Sequence, residues 1–491
     1  MAAPLAGVAA SDFEHHLSSG HRLSQQSRFA EAEVCAARAI QLRPDHAMAR
    51  NNLAFARLKL GDLEGAADAY QEALRLNPGL GMARRNLGPL LLRLGRRDEA
   101  MPVFHEELRT ADGFRWLQER VSRALREHDI ALASELQAVS AALRLGTRWH
   151  PPRRDPDLQP FPLQSPLRTV NLAKLRHDIE QFDYLQRRGI LRDELTPIIA
   201  AYQRVIDRMA PEGENARRGL SDEDVADIGE VFNRILYVRP TPRVAKALSD
   251  SWDPARLESQ YLDNPPGVVV LDDFFSPDAL AELHAFCLES TVWTGNRYAH
   301  GRLGAFFHEG FNCPLLVQIA EELRAALPRV IGRRHTLRQM WAFKNSPDQP
   351  GDSTTHADFA AVNINIWISP EENNLDPSCG GLVVYDVDAP PHWDFPTYNG
   401  RSDVIKPFLE RQNARTLTIP YKQNRAVIFN SDLFHGTQTV RFRPEYESRR
   451  MNVTFLYGVR EEDHRRLAKP DPMTDPAAAW RSAAFSRRRG R

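Results

Sequence analysis

The chain has 491 residues, 42% of them hydrophobic and 26% charged, and 64 basic side chains balance 64 acidic ones to a formal net charge of zero. Nothing in that balance draws the molecule as a whole toward nucleic acid or an anionic membrane. The length exceeds one compact core, and about three domains are expected. Four dispersed cysteines (Cys35, Cys287, Cys313, Cys379) without a CxxC spacing argue against a disulfide framework and for a reducing compartment. No apolar run approaches the roughly 20 residues of a membrane span, and MAAPLAGVAASDFEHHL has no basic region ahead of it, so it does not read as a secretion signal. The expectation is a cytoplasmic protein with neither nucleic acid nor membrane as partner.

From about 13 to 114 the sequence repeats at a spacing of 34. Ala32, Ala66 and Ala100 share one phase, as do Gly61 with Gly95, Leu53 with Leu87, Pro44 with Pro78, and Tyr70 with Phe104. Small residues let two antiparallel helices touch, and larger ones fill the seam to the next pair. This pattern resembles the tetratricopeptide repeat. Segments 47–80 and 81–114 follow it well. The first unit has Ser27 where Gly is usual and Ala36 at the aromatic position, and the third has Asp112 in place of its closing Pro. A fourth unit, 115–148, keeps traces such as HDIALA and is expected to cap the array. The resemblance implies an α-solenoid over 13–148 whose groove holds a protein or peptide.

Residues 149–166 contain six prolines and no helical periodicity, which predicts a semi-rigid linker. Helical patterning resumes in 167–250, a predicted helical bridge. Leu172, Leu175, Ile179, Phe182 and Leu185 fall on one face of its first helix, and further helices are expected over 194–210 and 221–235. His177-Asp178 has the form of a metal-binding doublet. Without partner histidines nearby, it is expected on a solvated helix face.

GVVVLDDFF (267–275) reads as a buried strand, followed by a helix with Ser276 as its cap and Pro277 at its first position. Further strands are predicted at 338–345, 362–368, 381–387, 415–419, 425–430, 434–441 and 450–457, with Gly380-Gly381 as a tight turn. Strands so short and closely spaced indicate an all-β sandwich or barrel. The insertion at 387–414 is long enough for a lid or substrate loop. The basic tail 463–491 is expected to be flexible.

Within this β-rich stretch lie His356, Asp358, His435 and, fifteen residues further, Arg450. A His-x-Asp pair puts both side chains on one face of a strand, because residues alternate faces. A second imidazole from a remote strand then closes one triangular face of an octahedron, leaving the opposite positions open, as non-haem Fe(II) oxygenation requires. On a strand, Arg450, Asn452 and Thr454 share one face and Arg449 the other. A rival pair, His392 and Asp394, sits among Pro390, Pro391 and Pro396 and cannot occupy a ladder. His300, His308 and His335 have no ligand spacing, and HEEL at 105–108 lacks a second histidine.

The stretch 267–460 resembles the Fe(II)/2-oxoglutarate-dependent oxygenases of the prolyl 4-hydroxylase-like type. The resemblance implies a double-stranded β-helix (jelly-roll) domain over 256–462. It implies His356, Asp358 and His435 as both catalytic residues and iron ligands, with Arg450 holding the distal carboxylate of 2-oxoglutarate. Asn363 and Asn365 are candidate cosubstrate contacts. Fe(II), 2-oxoglutarate and O2 follow as cofactor and cosubstrates, with ascorbate a further candidate. A tyrosine common in such proteins near position 345 is here Asn345, which leaves a second cosubstrate contact unassigned. Asp358 speaks against halogenation, where a halide takes the place of the carboxylate. The overall expectation is a multidomain α + β protein: solenoid, helical bridge and oxygenase domain. It would hydroxylate an unactivated carbon of a protein or peptide. A small-metabolite hydroxylase and a non-catalytic scaffold with a degenerate barrel are the alternatives.

Overall fold

The computed structural model describes residues 3–146, 160–351 and 355–460. Most of the predicted linker and the whole of the tail 463–491 lie outside these residues. Two compact units are present, Met1–Glu119 and Arg120–Arg491. Among the described residues, no helix is long and apolar enough to cross a membrane.

The N-terminal unit is a succession of antiparallel helices. Phe29–Leu42, Ala47–Leu60, Leu63–Leu76, Gly81–Arg93 and Arg97–Leu108 follow a first helix, Ala3–Gln25. The small residues of the repeat, Ala32, Ala66 and Ala100, are at most 1% exposed, as are the aromatics Tyr70 and Phe104. Gly88 shows why size matters here: a Cβ at that position would lie 3.0 Å from the Phe104 ring. The helix-to-helix turns run through left-handed backbone at Gly61 (φ 88°) and Gly95 (φ 72°), and Ser27 takes the same conformation (φ 59°) without glycine's freedom.

The C-terminal unit begins at Arg120, inside the helix Gly113–Arg126. The helix Ile130–Leu145, placed with the repeats by the sequence pattern, is embedded in this unit. Ser134 Oγ donates to Asn312 Oδ1 (2.6 Å) while Asn312 Nδ2 donates to the Ser134 carbonyl (2.7 Å), and the Ile235 N–H reaches the Leu145 carbonyl (2.6 Å).

The bridge consists of Leu172–Arg187, Arg192–Met209 and a short Asp222–Ile228. His177 and Asp178 are buried, at 0% and 4% exposure, and not on a solvated face. The reason is that Leu172–Arg187 is covered on both sides. Lys174 Nζ pairs with both Asp178 oxygens (2.5 and 2.6 Å), and the His177 ring packs against Trp293 and Tyr446 of the β domain.

The β domain has nine principal strands: β1 (Val268–Leu271), β2 (Leu303–Phe306), β3 (Leu337–Lys344), β4 (Val362–Trp367), β5 (Leu382–Asp388), β6 (Thr416–Ile419), β7 (Ala426–Asn430), β8 (Leu433–Thr437) and β9 (Met451–Tyr457). A six-stranded antiparallel sheet runs β1-β7-β4-β9-β3-β2, and a three-stranded sheet runs β8-β5-β6. Trp367, Val427 and Phe429 of the large sheet pack against Leu382, Val384, Ile419 and Leu433 of the small one. This is a jelly roll, a double-stranded β-helix.

Register explains the alternation in VNINIW. Val362, Ile364 and Ile366 share the outer face with Val453, Phe455 and Tyr457, and Tyr457 Oη donates to the Ala320 carbonyl of the covering helix Pro314–Ala326 (2.9 Å). Asn363, Asn365 and Trp367 face inward, opposite Leu456, Thr454 and Asn452.

Candidate active site

His356 and His435 meet backbone to backbone. Each N–H donates to the other's carbonyl, at 2.9 and 2.8 Å, forming an isolated antiparallel bridge, and the ring centroids are 4.5 Å apart. The His-x-Asp pair is therefore not mid-strand as expected, since 357–361 leave the ladder to turn into β4. The two-residue period survives all the same. The N–H groups of His356 and Asp358 reach the His435 and Ser431 carbonyls, and that of Ala357 reaches Tyr398 instead. The remote histidine is brought close by the same bonds that shape the loop.

Ligand atoms of His356, Asp358 and His435 lie within 4.8 Å of one another. His356 Nε2 is 3.8 Å from Asp358 Oδ1, and His435 Nε2 is 3.5 Å from Asp358 Oδ2. Two donors about 2.1 Å from a common ion and at right angles lie about 3 Å apart, so small side-chain rotations suffice to close on one ion. His435 Nδ1 is 3.0 Å from the Leu433 carbonyl. A carbonyl only accepts, so the proton sits on Nδ1 and the lone pair of Nε2 is directed at the site. Asn363 Nδ2 donates to Asp358 Oδ2 (2.7 Å). Burial pushes the Asp358 carboxyl up, but the neighbouring His435 and His356 rings and the Asn363 amide outweigh it and hold it below the ordinary carboxylate range.

Arg450 is 2% exposed. Its Nε donates to the Gly380 carbonyl (2.6 Å) and its Nη1 to Asn345 Oδ1 (2.9 Å) and Asn452 Oδ1 (3.3 Å). Asn345, which stands where a tyrosine is common, thus orients the guanidinium. Burial lowers its pKa to about 10, and no described carboxylate pairs with it. Arg449 points the other way and holds Glu180 at 2.5 Å. On the inward row, Asn363 Oδ1, Asn365 Oδ1 and Trp367 Nε1 are buried without hydrogen-bond partners. The orphaned Trp367 Nε1 donor beside the uncompensated Arg450 suits a small anion, and the His-Asp-His donor set suits a redox-active divalent ion.

A cavity of about 280 Å³ opens onto His356 and Asp358. Its walls include Phe306, Trp341, Phe343 and Phe359, with Phe395 and Asn399 contributed by the 387–414 insertion. That insertion folds into two helices, Phe395–Gly400 and Ser402–Arg411. Asp394 of the rival pair caps the first of them, accepting from the Thr397 N–H (3.1 Å), and His392 is exposed, so neither joins the triad. Two wall residues that motif spacing does not reveal, Arg302 and Tyr298, come from the segment leading into β2. The signal for Arg302 is its two-residue phase with Gly304 and Phe306, readable only once β2 is known to be a strand.

The tetratricopeptide-repeat family model matches residues 17–81 and 56–113. The N-terminal array is built of tetratricopeptide repeats. No curated protein matches the chain. Among solved structures, the repeats are similar to the second tetratricopeptide domain of human RPAP3 in complex with an HSP70 peptide. That similarity is 21% identity over 23% of this chain and 96% of that one, at a TM-score of 0.21. HygX from Streptomyces hygroscopicus, with nickel, 2-oxoglutarate and hygromycin B bound, is similar at 14% identity over 44% of this chain and 89% of its own, TM-score 0.29. EctD from S. alaskensis with bound Fe is similar at 15% identity over 45% and 84%, TM-score 0.29.

Proposed function

We propose that the C-terminal unit is an Fe(II)- and 2-oxoglutarate-dependent dioxygenase that hydroxylates an unactivated carbon on a protein or peptide recruited by the repeats. The observation that carries this reading is the convergence of the His356, Asp358 and His435 donor atoms within 4.8 Å, with His356 and Asp358 lining a cavity. Two imidazoles and one carboxylate on one side leave the remaining coordination positions free for cosubstrate and oxygen. When bound, the ion with 2-oxoglutarate and O2 supplies oxidative decarboxylation coupled to oxygen insertion at a C–H bond.

The chain's own residues prepare for that chemistry. His435 is fixed in its Nδ1-protonated tautomer by Leu433, and Asn363 restrains the Asp358 carboxylate. Arg450 is pre-set by Gly380, Asn345 and Asn452, and Nη2 takes part in none of these three bonds, so it remains for the distal carboxylate of 2-oxoglutarate. Trp367 Nε1 is a second donor on that row, and Asn363 and Asn365 line the space between. The aromatic walls exclude water from the reacting carbon. A stacked helical array offers a concave surface for an extended peptide, which favours a macromolecular substrate.

The test is conversion of 2-oxoglutarate to succinate with Fe(II), comparing wild type with His356→Ala. Turnover lost in the variant supports the reading, and equal turnover in both contradicts it. Mass spectrometry of proteins co-purifying with the full chain should then find one added oxygen only with the active enzyme.

A further inference from the structure

Arg302 is 7% exposed, yet its guanidinium has no hydrogen bond to any described residue, and its Nε is a buried donor without a partner. The group lies over the Phe343 ring (4.1 Å to the centroid) and near the Tyr298 ring (4.8 Å). It lines the cavity that holds His356 and Asp358. Of the other buried arginines of the same unit, Arg449 holds Glu180 at 2.5 Å and Arg460 holds Asp432 at 2.6 Å, whereas Arg450, the proposed 2-oxoglutarate anchor, like Arg302 pairs with no described carboxylate. Aromatic stacking orients a guanidinium plane but leaves its N–H edge unsatisfied, and an unpaired buried cation is unfavourable unless a ligand completes it.

Charge counting points the same way. An Fe(II) ion, Asp358, Arg450 and Arg302 together sum to three positive charges, and the 2-oxoglutarate dianion removes two. One positive charge is left in this set, before Arg297 of the same cavity is counted. We propose that Arg302 is the subsite for a carboxylate on the substrate, so that the group oxidised here belongs to an acidic molecule. The planar fork suits a carboxylate, and the surrounding rings suit the carbon chain that carries it. Arg297, exposed at the rim of the same cavity, adds a positive charge along the entry path. The inference rests on the dioxygenase reading above.

The test uses the full chain with saturating Mn(II) and 2-oxoglutarate under anaerobic conditions, so that the Arg450 site is already filled. Calorimetry compares capped tripeptides with a central Glu or Gln, and compares phenylacetate with phenylacetamide. Wild type should bind the carboxylate of at least one pair about tenfold or more tighter than its neutral counterpart. A preference in the peptide pair identifies a peptide side chain as the source, and one confined to phenylacetate identifies a small acid. Arg302→Met should reduce the preference to within about twofold, and Arg302→Lys should restore part of it. Thermal unfolding establishes that both variants are folded, and if Arg302→Met is not, the comparison is made with Arg302→Lys and Arg302→Gln. Equal affinities in wild type, no binding of either carboxylate, or a preference that survives loss of the guanidinium overturns the proposal. Succinate formation by the same wild-type protein, assayed with Fe(II) and O2 in place of Mn(II), separates the two ideas: turnover without carboxylate preference sinks the Arg302 assignment alone, and no turnover sinks the dioxygenase reading.

Discussion

Asn363 acts through a neighbour. Its amide holds one oxygen of Asp358, and that oxygen is the one 3.5 Å from His435 Nε2. Asn363→Ala should therefore weaken metal affinity by roughly 10–100-fold, the range for groups that orient ligands, with little effect on the melting temperature of the metal-free protein. A competition titration with a chelating dye reads this directly. Arg450 lies outside the triad, held by Gly380, Asn345 and Asn452. Arg450→Met should weaken 2-oxoglutarate binding by about 2–3 kcal/mol, the scale of a lost charge-assisted pair, as read by calorimetry; unchanged affinity would relocate the anchor. At this scale, the residues with a spacing signature were legible. The grouping of His356, Asp358 and His435 was readable because two-residue alternation, which outlasts the strand, and chain order carry its geometry. Arg302 has no such signature, and His177-Asp178 misled because helix periodicity locates one buried face and cannot tell that a second partner covers the other.

Individual elements carry their own tests. The first repeat turn forces Ser27 into left-handed backbone, where a side chain costs roughly 1 kcal/mol or more and glycine costs little. Ser27→Gly should raise the stability of the array by about 0.5–1 kcal/mol in denaturant unfolding, whereas the same exchange at a right-handed position would lower it. In the bridge, Asp224 closes a capping box with Ser221 and receives Arg218 and Arg208. Burial pushes its carboxyl up, but the arginines and the Ser221 bonds overcome this and bring the pKa to about 2, from an ordinary 3.8. A depressed folded pKa means stability that is present above 3.8 and lost as pH falls toward 2, about 2 kcal/mol in all. Asp224→Asn should flatten the acid limb of the stability profile in that window, and an unaltered limb would assign the loss to other carboxylates. The principal β segments of the barrel were readable from alternation and turns. β2 was not, because its neighbours in LGAFF are nearly all apolar and buried, leaving no period to detect.

The two compact units set the test for the molecule as a whole. The helix Ile130–Leu145 is wedged into the C-terminal unit by the Ser134–Asn312 exchange and an almost wholly buried surface. Removing residues 1–119 should leave a soluble C-terminal unit that still binds metal, whereas removing 1–148 should strip that helix and give an aggregating or strongly destabilised product. Two equally stable truncations would contradict this. The repeat period marked the array but could not mark its end, because a helical pair serving another core obeys the same small-and-large spacing.

The central claim is that three side chains from two remote segments close on one redox ion. Anaerobic titration with Co(II), followed by its visible spectrum, tests it most directly. One ion per chain should bind in wild type, with its spectrum perturbed by 2-oxoglutarate, and His356→Ala, Asp358→Ala and His435→Ala should each lose that site. A wild-type chain that binds no ion, or three variants that bind as wild type does, would contradict it.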